Sequence, residues 1–422
     1  MAVVAVANGG FRGPVLLYRT GETLGHVAST ALLVGHVEGA PASVTLGQYD
    51  VLAGQVRIVP LASLVAPSLF GRQLTPPLRL SGPGDSVRTI MKKLINDPDG
   101  VVDEMLDGMT AAHPDRLRRL PDTQVLVRDD GPVDGKVALV TGGGSGHEPT
   151  HAGYIGDGML DGAAAGDVFS SPTADEFEEL IGACDAGDGV LAIIKNYEGD
   201  VMNFETAIEL AEMEGVEVES VVVNDDVAVE DSLYTSGRRG VCGTILVHKA
   251  AGAKAAQGAD LPEVARVAEK VVDNVGTMGT ALTSCVTPEK GEPTFELGDD
   301  EIELGIGIHG EPGTERTETM RADEITEHLT DAVLDDLDLD EGQEVLTIVN
   351  GMGGTPQMEL FVVNRRLQEL LGERGLETCD AWVGDYMTSL DMAGASITVC
   401  AVDEELKELF DAPVDTPALT TK

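Results

Sequence analysis

Positive charge is what this sequence has least of. Its 28 lysines and arginines face 73 aspartates and glutamates, a formal net charge of −45. A surface that negative repels nucleic acid and anionic lipid, so neither is expected as a partner. Aromatic residues are few, at 4% with a single tryptophan. No run of about 18 apolar residues is present to span a bilayer, and the first residues lack the basic start and apolar block of a secretory signal. The five cysteines (Cys184, Cys242, Cys285, Cys379 and Cys400) are odd in number and include no CxxC pair. They read as reduced, mostly buried thiols of a cytoplasmic protein, which excludes a disulfide scaffold.

What is present is enough for full cores. The chain has 422 residues, a length that allows two or three domains. Valine, alanine and glycine abound in long apolar strands, which argues against acidic disorder. The acidity is spread along most of the chain, as expected of a halophilic protein in a high-salt cytoplasm. It is not spread evenly. Residues 1–90 hold only four of the 73 acids but six of the 28 bases, and no lysine occurs before Lys92. Parts of one protein sharing a salty solvent should not differ so sharply. Met91-Lys92-Lys93-Leu94-Ile95-Asn96-Asp97 looks like a natural beginning, so residues 1–90 are read as upstream sequence from a mis-assigned start. A small divergent domain is the alternative.

From Met91 the pattern is α/β. Helical spacing marks Val101–Met109, Thr173–Cys184 with Thr173 as N-cap, Phe204–Glu214, Thr244–Gln257 and Leu261–Val275. Apolar strands fall at Val137–Thr141, Val190–Ile194 and Val218–Val223, a rhythm of parallel crossover units. Gly276–Ser284 is small and loose, and is read as a joint between a first lobe (91–275) and a second (276–422). The second lobe carries a strand ending at Gly305, helices at Ala322–Leu334 and Met358–Leu371, and strands at Val345–Val349 and Ser396–Val402.

Two glycine-rich stretches carry the chemistry. Val140–His151 reads VTGGGSGHEPTH, a strand feeding a loop at its carboxyl end, where open α/β sheets hold ligands. Gly305–Gly313 reads GIGIHGEPG and repeats the pattern, with His309 flanked by glycines. Together they suggest one site built from two lobes. HEPTH matches a zinc pattern by letter, but that pattern needs both histidines on one helical face, and Pro149 stands between them. No metal is therefore expected. GxGxxG fails in both frames and GxxxxGK[ST] is absent, so no usual phosphate cradle is present. Gly144, Ser145 and Gly146 instead offer backbone amides to a small oxygenated ligand, with a purely structural turn as the alternative. Lys195 and Asp200 follow a buried strand. Alone they would be a capping or salt-bridging pair; beside His147 they supply a candidate cation and base.

From Met91 to Leu419 the chain resembles the K subunit of dihydroxyacetone (glycerone) kinase. The stretches that carry this are MKKLIND at Met91, GKVALVTGGGSGHEPTHAGYIGDGML at Gly135, KNYEGD at Lys195, NFETA at Asn203, DDVAVEDSLYTSGRRG at Asp225, GIGIHGEPG at Gly305, SLDMAG at Ser389 and DAPVDTPAL at Asp411. The resemblance implies a two-lobed α/β fold, each lobe a mainly parallel or mixed sheet flanked by helices. It implies that Nε2 of His309 adds to the ketone carbon of dihydroxyacetone as a hemiaminal, assisted by His147. Asp200 would accept the proton of the hydroxyl that attacks phosphorus. Lys195 and Gly144-Ser145-Gly146 would bind substrate oxygens. No cofactor is expected on this chain: the resemblance places the Mg-nucleotide on a separate L subunit, itself possibly recharged from phosphoenolpyruvate through a phosphotransferase M subunit. A homodimer is expected. The alternative is a non-catalytic dihydroxyacetone sensor that coactivates the kinase operon; His147, Lys195 and Asp200 together favour the enzyme.

Overall fold

The computed structural model describes residues 92–229 and 235–422, with the backbone of three strands before them. Those strands, β1 (Ser29–Gly35), β2 (Ser43–Leu52) and β3 (Gln55–Pro60), form an antiparallel sheet in sequence order. The rest of 1–90, Met91 and residues 230–234 of the matched DDVAVEDSLYTSGRRG stretch lie outside the described residues.

Beyond them stand two six-stranded sheets. After helix α1 (Val101–Ala112), the first takes β4 (Leu117–Arg119), β5 (Val125–Arg128), β6 (Ala138–Ser145), β7 (Gly162–Val168), β8 (Val190–Lys195) and β9 (Val218–Val223) in the order β4-β5-β7-β6-β8-β9. Its β7-β6-β8-β9 portion is parallel, while β4 and β5 are antiparallel. Helices α2 (Ala174–Cys184) and α3 (Glu198–Glu214) cover one face; α4 (Thr244–Ala256) and α5 (Leu261–Val272) cover the other. Thr173 caps α2 in a reciprocal capping box with Glu176, which satisfies two otherwise orphaned amides.

The second sheet is mostly antiparallel. It takes β10 (Val275–Ala281), β11 (Glu301–Leu304), β12 (Glu315–Glu318), β13 (Glu344–Gly351), β14 (Glu377–Gly384) and β15 (Gly394–Val402) in the order β12-β11-β10-β15-β13-β14, with only β13 and β14 parallel. Helices α6 (Ala322–Leu337) and α7 (Gln357–Glu373) cover its outer face. The final helix α8 (Glu404–Asp411) packs back on α4.

Strand alternation explains the layering, because successive side chains point to opposite faces. In β8, Leu191 and Ile193 enter a central core while Val190, Ala192 and Ile194 meet α2 and α3. In β13, Leu346 and Ile348 enter that same central core, and Val345 and Val349 face α6 and α7. The two sheets therefore share one apolar layer, and α4 lies within it. Eleven of its thirteen residues are buried, as required of a helix with packing on all sides.

Two expectations need correction. Gly276–Ser284 is not a loose joint. Its first part is β10, fully buried and bonded between β11 and β15; small residues suit it because neighbouring side chains fill the space, and Thr277 pairs with Thr398 through their hydroxyls at 2.8 Å. The glycine run is likewise not a loop until Gly146. Gly142, Gly143 and Gly144 continue β6, in register with Ala164, Ala165 and Gly166 of β7.

Replacing Leu246, fully buried in α4, by Ala should cost about 2–5 kcal/mol of unfolding free energy in a urea titration. Met213→Ala, at an exposed position, should stay within about 0.5 kcal/mol. Equal effects would contradict the shared central layer.

Candidate functional site

The site forms where the carboxyl ends of β6 and β8 meet a loop of the second sheet. Past Ser145 the chain turns, and Gly146 adopts a left-handed φ of 102°. The HEPTH stretch that follows makes turns rather than a helix. Its two imidazoles go to different neighbours: the His147 ring lies 4.8 Å from His309, and the His151 ring 5.4 Å from His248. Among the described residues, no group of three or more His, Cys, Asp or Glu side chains is placed to hold a metal.

The loop between β14 and β15 fastens His147 in place. The amides of Thr388 and Leu390 donate to the carbonyls of His147 and Gly146, and the Thr388 hydroxyl donates to the carbonyl of Glu148. Asn350 at the end of β13 braces that loop, accepting from the amides of Tyr386 and Met387. Most important, the Thr388 carbonyl lies 2.8 Å from Nδ1 of His147. A carbonyl only accepts, so Nδ1 carries the proton and Nε2 holds a lone pair. Burial, reinforced by the nearby His309 and Lys195, pushes the pKa of His147 well below its ordinary value, so the ring stays neutral. Its Nε2 is buried without a hydrogen-bond partner.

His309 is fixed by the same logic with a different acceptor. Oε1 of Glu311 lies 2.8 Å from its Nδ1, and Oε2 accepts its backbone amide at 2.9 Å. Burial alone would raise the Glu311 pKa, yet His309 and then Arg239 hold it down at about 2. An ionised carboxylate accepts, so Nδ1 of His309 carries a proton and donates it. The ring sits against Tyr197 and Phe169, at 4.6 and 5.2 Å between centroids.

Asp200 stands in the first turn of α3, where the helix amides favour negative charge. Burial raises its pKa; Lys195, Ser171 and His309 oppose the rise. Lys195 Nζ lies 3.9 Å from Oδ2 of Asp200 and is fully buried with no hydrogen-bond partner. It lies 2.9 Å from where a Cβ on Gly143 would be, so the glycine leaves it room there. Desolvation lowers the Lys195 pKa, against the pull of Asp200 and Glu311.

A cleft of about 660 Å³ is lined by Gly144, Phe169, Tyr197, Asp200, His309 and Glu311, among others. His147 and Lys195 stand behind its wall, His147 stacked on Phe169 at 5.1 Å. Of the proposed amide cradle, Gly144 lines the cleft. Gly146 already donates its amide to Glu148 at 3.0 Å, so that amide is not free, and the Ser145 hydroxyl donates to the Gly166 carbonyl. Sequence reasoning missed Thr388, although it adjoins the SLDMAG stretch, and gave no role to Glu311, whose position two residues from His309 was the available signal.

Two imidazoles, a buried lysine and a carboxylate thus gather at one cleft, an arrangement that suits a small oxygenated ligand. The chain belongs to the dihydroxyacetone kinase K-subunit family, and the Dak1 domain model matches its residues 107–418. It is 52% identical over 329 residues to the PTS-dependent dihydroxyacetone kinase 1, dihydroxyacetone-binding subunit DhaK, of Listeria innocua, an alignment covering 78% of this chain and 100% of that one. Among solved structures it resembles the dihydroxyacetone kinase of C. freundii (TM-score 0.72, 35% identity), covering 79% of this chain and 61% of the other. It also resembles the dihydroxyacetone kinase operon co-activator Dha-DhaQ (TM-score 0.71, 35% identity), covering 75% and 97% respectively.

Nitrogen-15 NMR of the histidine rings should show His147 as the neutral Nδ1–H tautomer from pH 8 down to about pH 6, near the ordinary histidine pKa. An imidazolium signal for His147 at that pH would contradict the assigned hydrogen bond and burial.

Proposed function

We propose that this chain is the dihydroxyacetone-binding subunit of a dihydroxyacetone kinase and that it holds its substrate covalently. The observation that carries the proposal is the pair of imidazoles 4.8 Å apart, each engaged at Nδ1, one of them on the wall of a cleft that Asp200 also lines.

The chemistry follows from that arrangement. The Nε2 lone pair of His309 adds to the ketone carbon and forms a hemiaminal, a bond that glycerol cannot make because it has no carbonyl. His147 assists by hydrogen bonding and proton exchange through its unpartnered Nε2. Lys195 and the Gly144 backbone bind substrate oxygens, while Ser145 and Gly146 shape the turn that positions them. Asp200 takes the proton from the hydroxyl that attacks phosphorus; its raised pKa suits a general base better than that of an ordinary aspartate. The donor is a Mg-nucleotide on a separate L subunit, with a phosphotransferase M subunit upstream, as the PTS-dependent name of the Listeria relative suggests. The chain works as a cytoplasmic homodimer.

A second reading has one observation in its favour, the likeness to the operon co-activator. A sensor would need His309 but not Asp200. Mixing the full chain with an L subunit and donor decides between them: dihydroxyacetone phosphate is expected, and none from an active L subunit would favour the sensor.

His309→Ala should abolish the mass increase seen when the intact protein meets dihydroxyacetone; an unchanged increase would refute the role. Asp200→Asn should keep that increase while cutting turnover by about a hundredfold or more, within the usual range for a lost general base. Because burial raises the Asp200 pKa, the wild-type rate should fall with acidity from a pH above 3.8, as the carboxylate is protonated. Near-normal turnover of the Asn variant would sink the base assignment.

The net charge of −45 fits a halophilic protein. Raising salt from about 0.1 M to about 1 M shortens the screening length from ~10 to ~3 Å and should raise the thermal midpoint. A falling midpoint would contradict this.

A further inference from the structure

One buried charge network lies outside the groups that touch substrate. Arg239, in the GRRG stretch, is fully buried. Its Nε donates to Asp226 at 2.6 Å, and its Nη2 reaches both Asp226 at 2.6 Å and the Gly305 carbonyl at 2.8 Å. The Asp226 carboxylate also accepts the Ala228 amide, and the Asp226 amide donates to the Arg239 carbonyl. This ion pair therefore fixes both the exit of β9 and the start of the His309 loop. Nη1 of Arg239 has no hydrogen-bond partner. Buried donors are seldom left so without a reason.

The reason lies at Gly307. A Cβ built there would stand 2.6 Å from Nη1 of Arg239 and 2.1 Å from Oε2 of Glu311. The guanidinium and the carboxylate thus converge on the space that glycine leaves open. Around Glu311 the charged and titratable groups are His309 on its own loop, Arg239 beyond Gly307, and Lys195 and Tyr197 from the end of β8. Arg239 and Lys195 are the cations among them, and Asp226 offsets part of the Arg239 charge.

We propose that Glu311, faced by the buried Arg239–Asp226 pair, is a positioning residue that holds the His309 ring with Nε2 toward the cleft and balances the charge the ring gains on bonding to a ketone. The inference rests on the hemiaminal reading. In the step, the Nε2–carbon bond forms as the carbonyl π bond breaks, and the oxygen takes up one proton from the surrounding solution, so the adduct carries one positive charge more than the free ring and ketone. The ring keeps its Nδ1 proton and becomes an imidazolium, paired with the Glu311 carboxylate 2.8 Å away. A charged acceptor stabilises that product more than a neutral one would. In this step Glu311 acts through the ring and not on the reacting atoms.

The test uses the full chain and dihydroxyacetone itself. Intact-protein mass spectrometry across a dihydroxyacetone titration gives the concentration at which half the protein carries one added molecule. Glu311→Gln keeps the shape and can still accept the Nδ1–H through its amide oxygen, but lacks the charge. It should raise that concentration about tenfold to a hundredfold, the usual weight of a hydrogen bond to a charged group. Glu311→Ala should raise it further and, in nitrogen-15 spectra, release His309 into a mixture of both ring tautomers, while Glu311→Gln keeps the Nδ1–H form. Circular dichroism checks the fold, and the Gln variant stands as the test if the Ala variant does not fold. A folded Gln variant that saturates at the wild-type concentration overturns the inference alone. A wild-type chain with no adduct overturns the hemiaminal reading, and this inference with it.

Discussion

The hydrogen bond from Nδ1 of His147 to the Thr388 carbonyl is the contact on which the rest turns. It joins residues 241 apart in the chain, one beyond each sheet. It decides which ring nitrogen carries the proton, and it does so where water cannot compete. The shared central layer makes this possible, since α4 lies within it and both sheets pack into the same core beneath the ends of β6 and β8.

The site is also a collection of unmet polar demands. Nε2 of His147, Nζ of Lys195, Oδ1 of Asp200 and the Tyr197 hydroxyl are all buried without hydrogen-bond partners. Each such group costs stability in an empty protein. Gathered around one cleft, they are what a small polyol ketone, with several oxygens to offer, can satisfy at once. His151 and His248 form a second unpartnered pair beneath the site, and burial pushes the His248 pKa down to about 3. Both are buried, and burial lowers the pKa of each, so they read as neutral core histidines.

Much of this was legible in the residues. The glycine-flanked histidines, Lys195 and Asp200 stand out because each follows an apolar strand, and strand ends are where α/β sheets place chemistry. Thr173 announced its helix through a side chain that can cap it. Other features left weaker traces. Helix α3 begins at Glu198, six residues before its apolar spacing shows, because its first turn holds Gly199 and its N-cap, Tyr197, makes no capping hydrogen bond. Strand β7 is mostly alanine and glycine, and β10 mixes glycine and threonine with Val275 and Met278, so large apolar residues mark neither; packing from neighbouring layers makes them strands. The role of Thr388 was beyond reach, since it is a backbone carbonyl and any residue type supplies one. Glu311 could have been found, because a carboxylate two residues from a histidine in a tight glycine turn has few other places to go.

The most direct test of the account is a crystal structure of the chain soaked with dihydroxyacetone. It should show continuous density from Nε2 of His309 to the central carbon of the substrate, with that carbon tetrahedral and a terminal hydroxyl against Asp200. A flat, unbonded ketone in the cleft, or a bond to any other side chain, would contradict it.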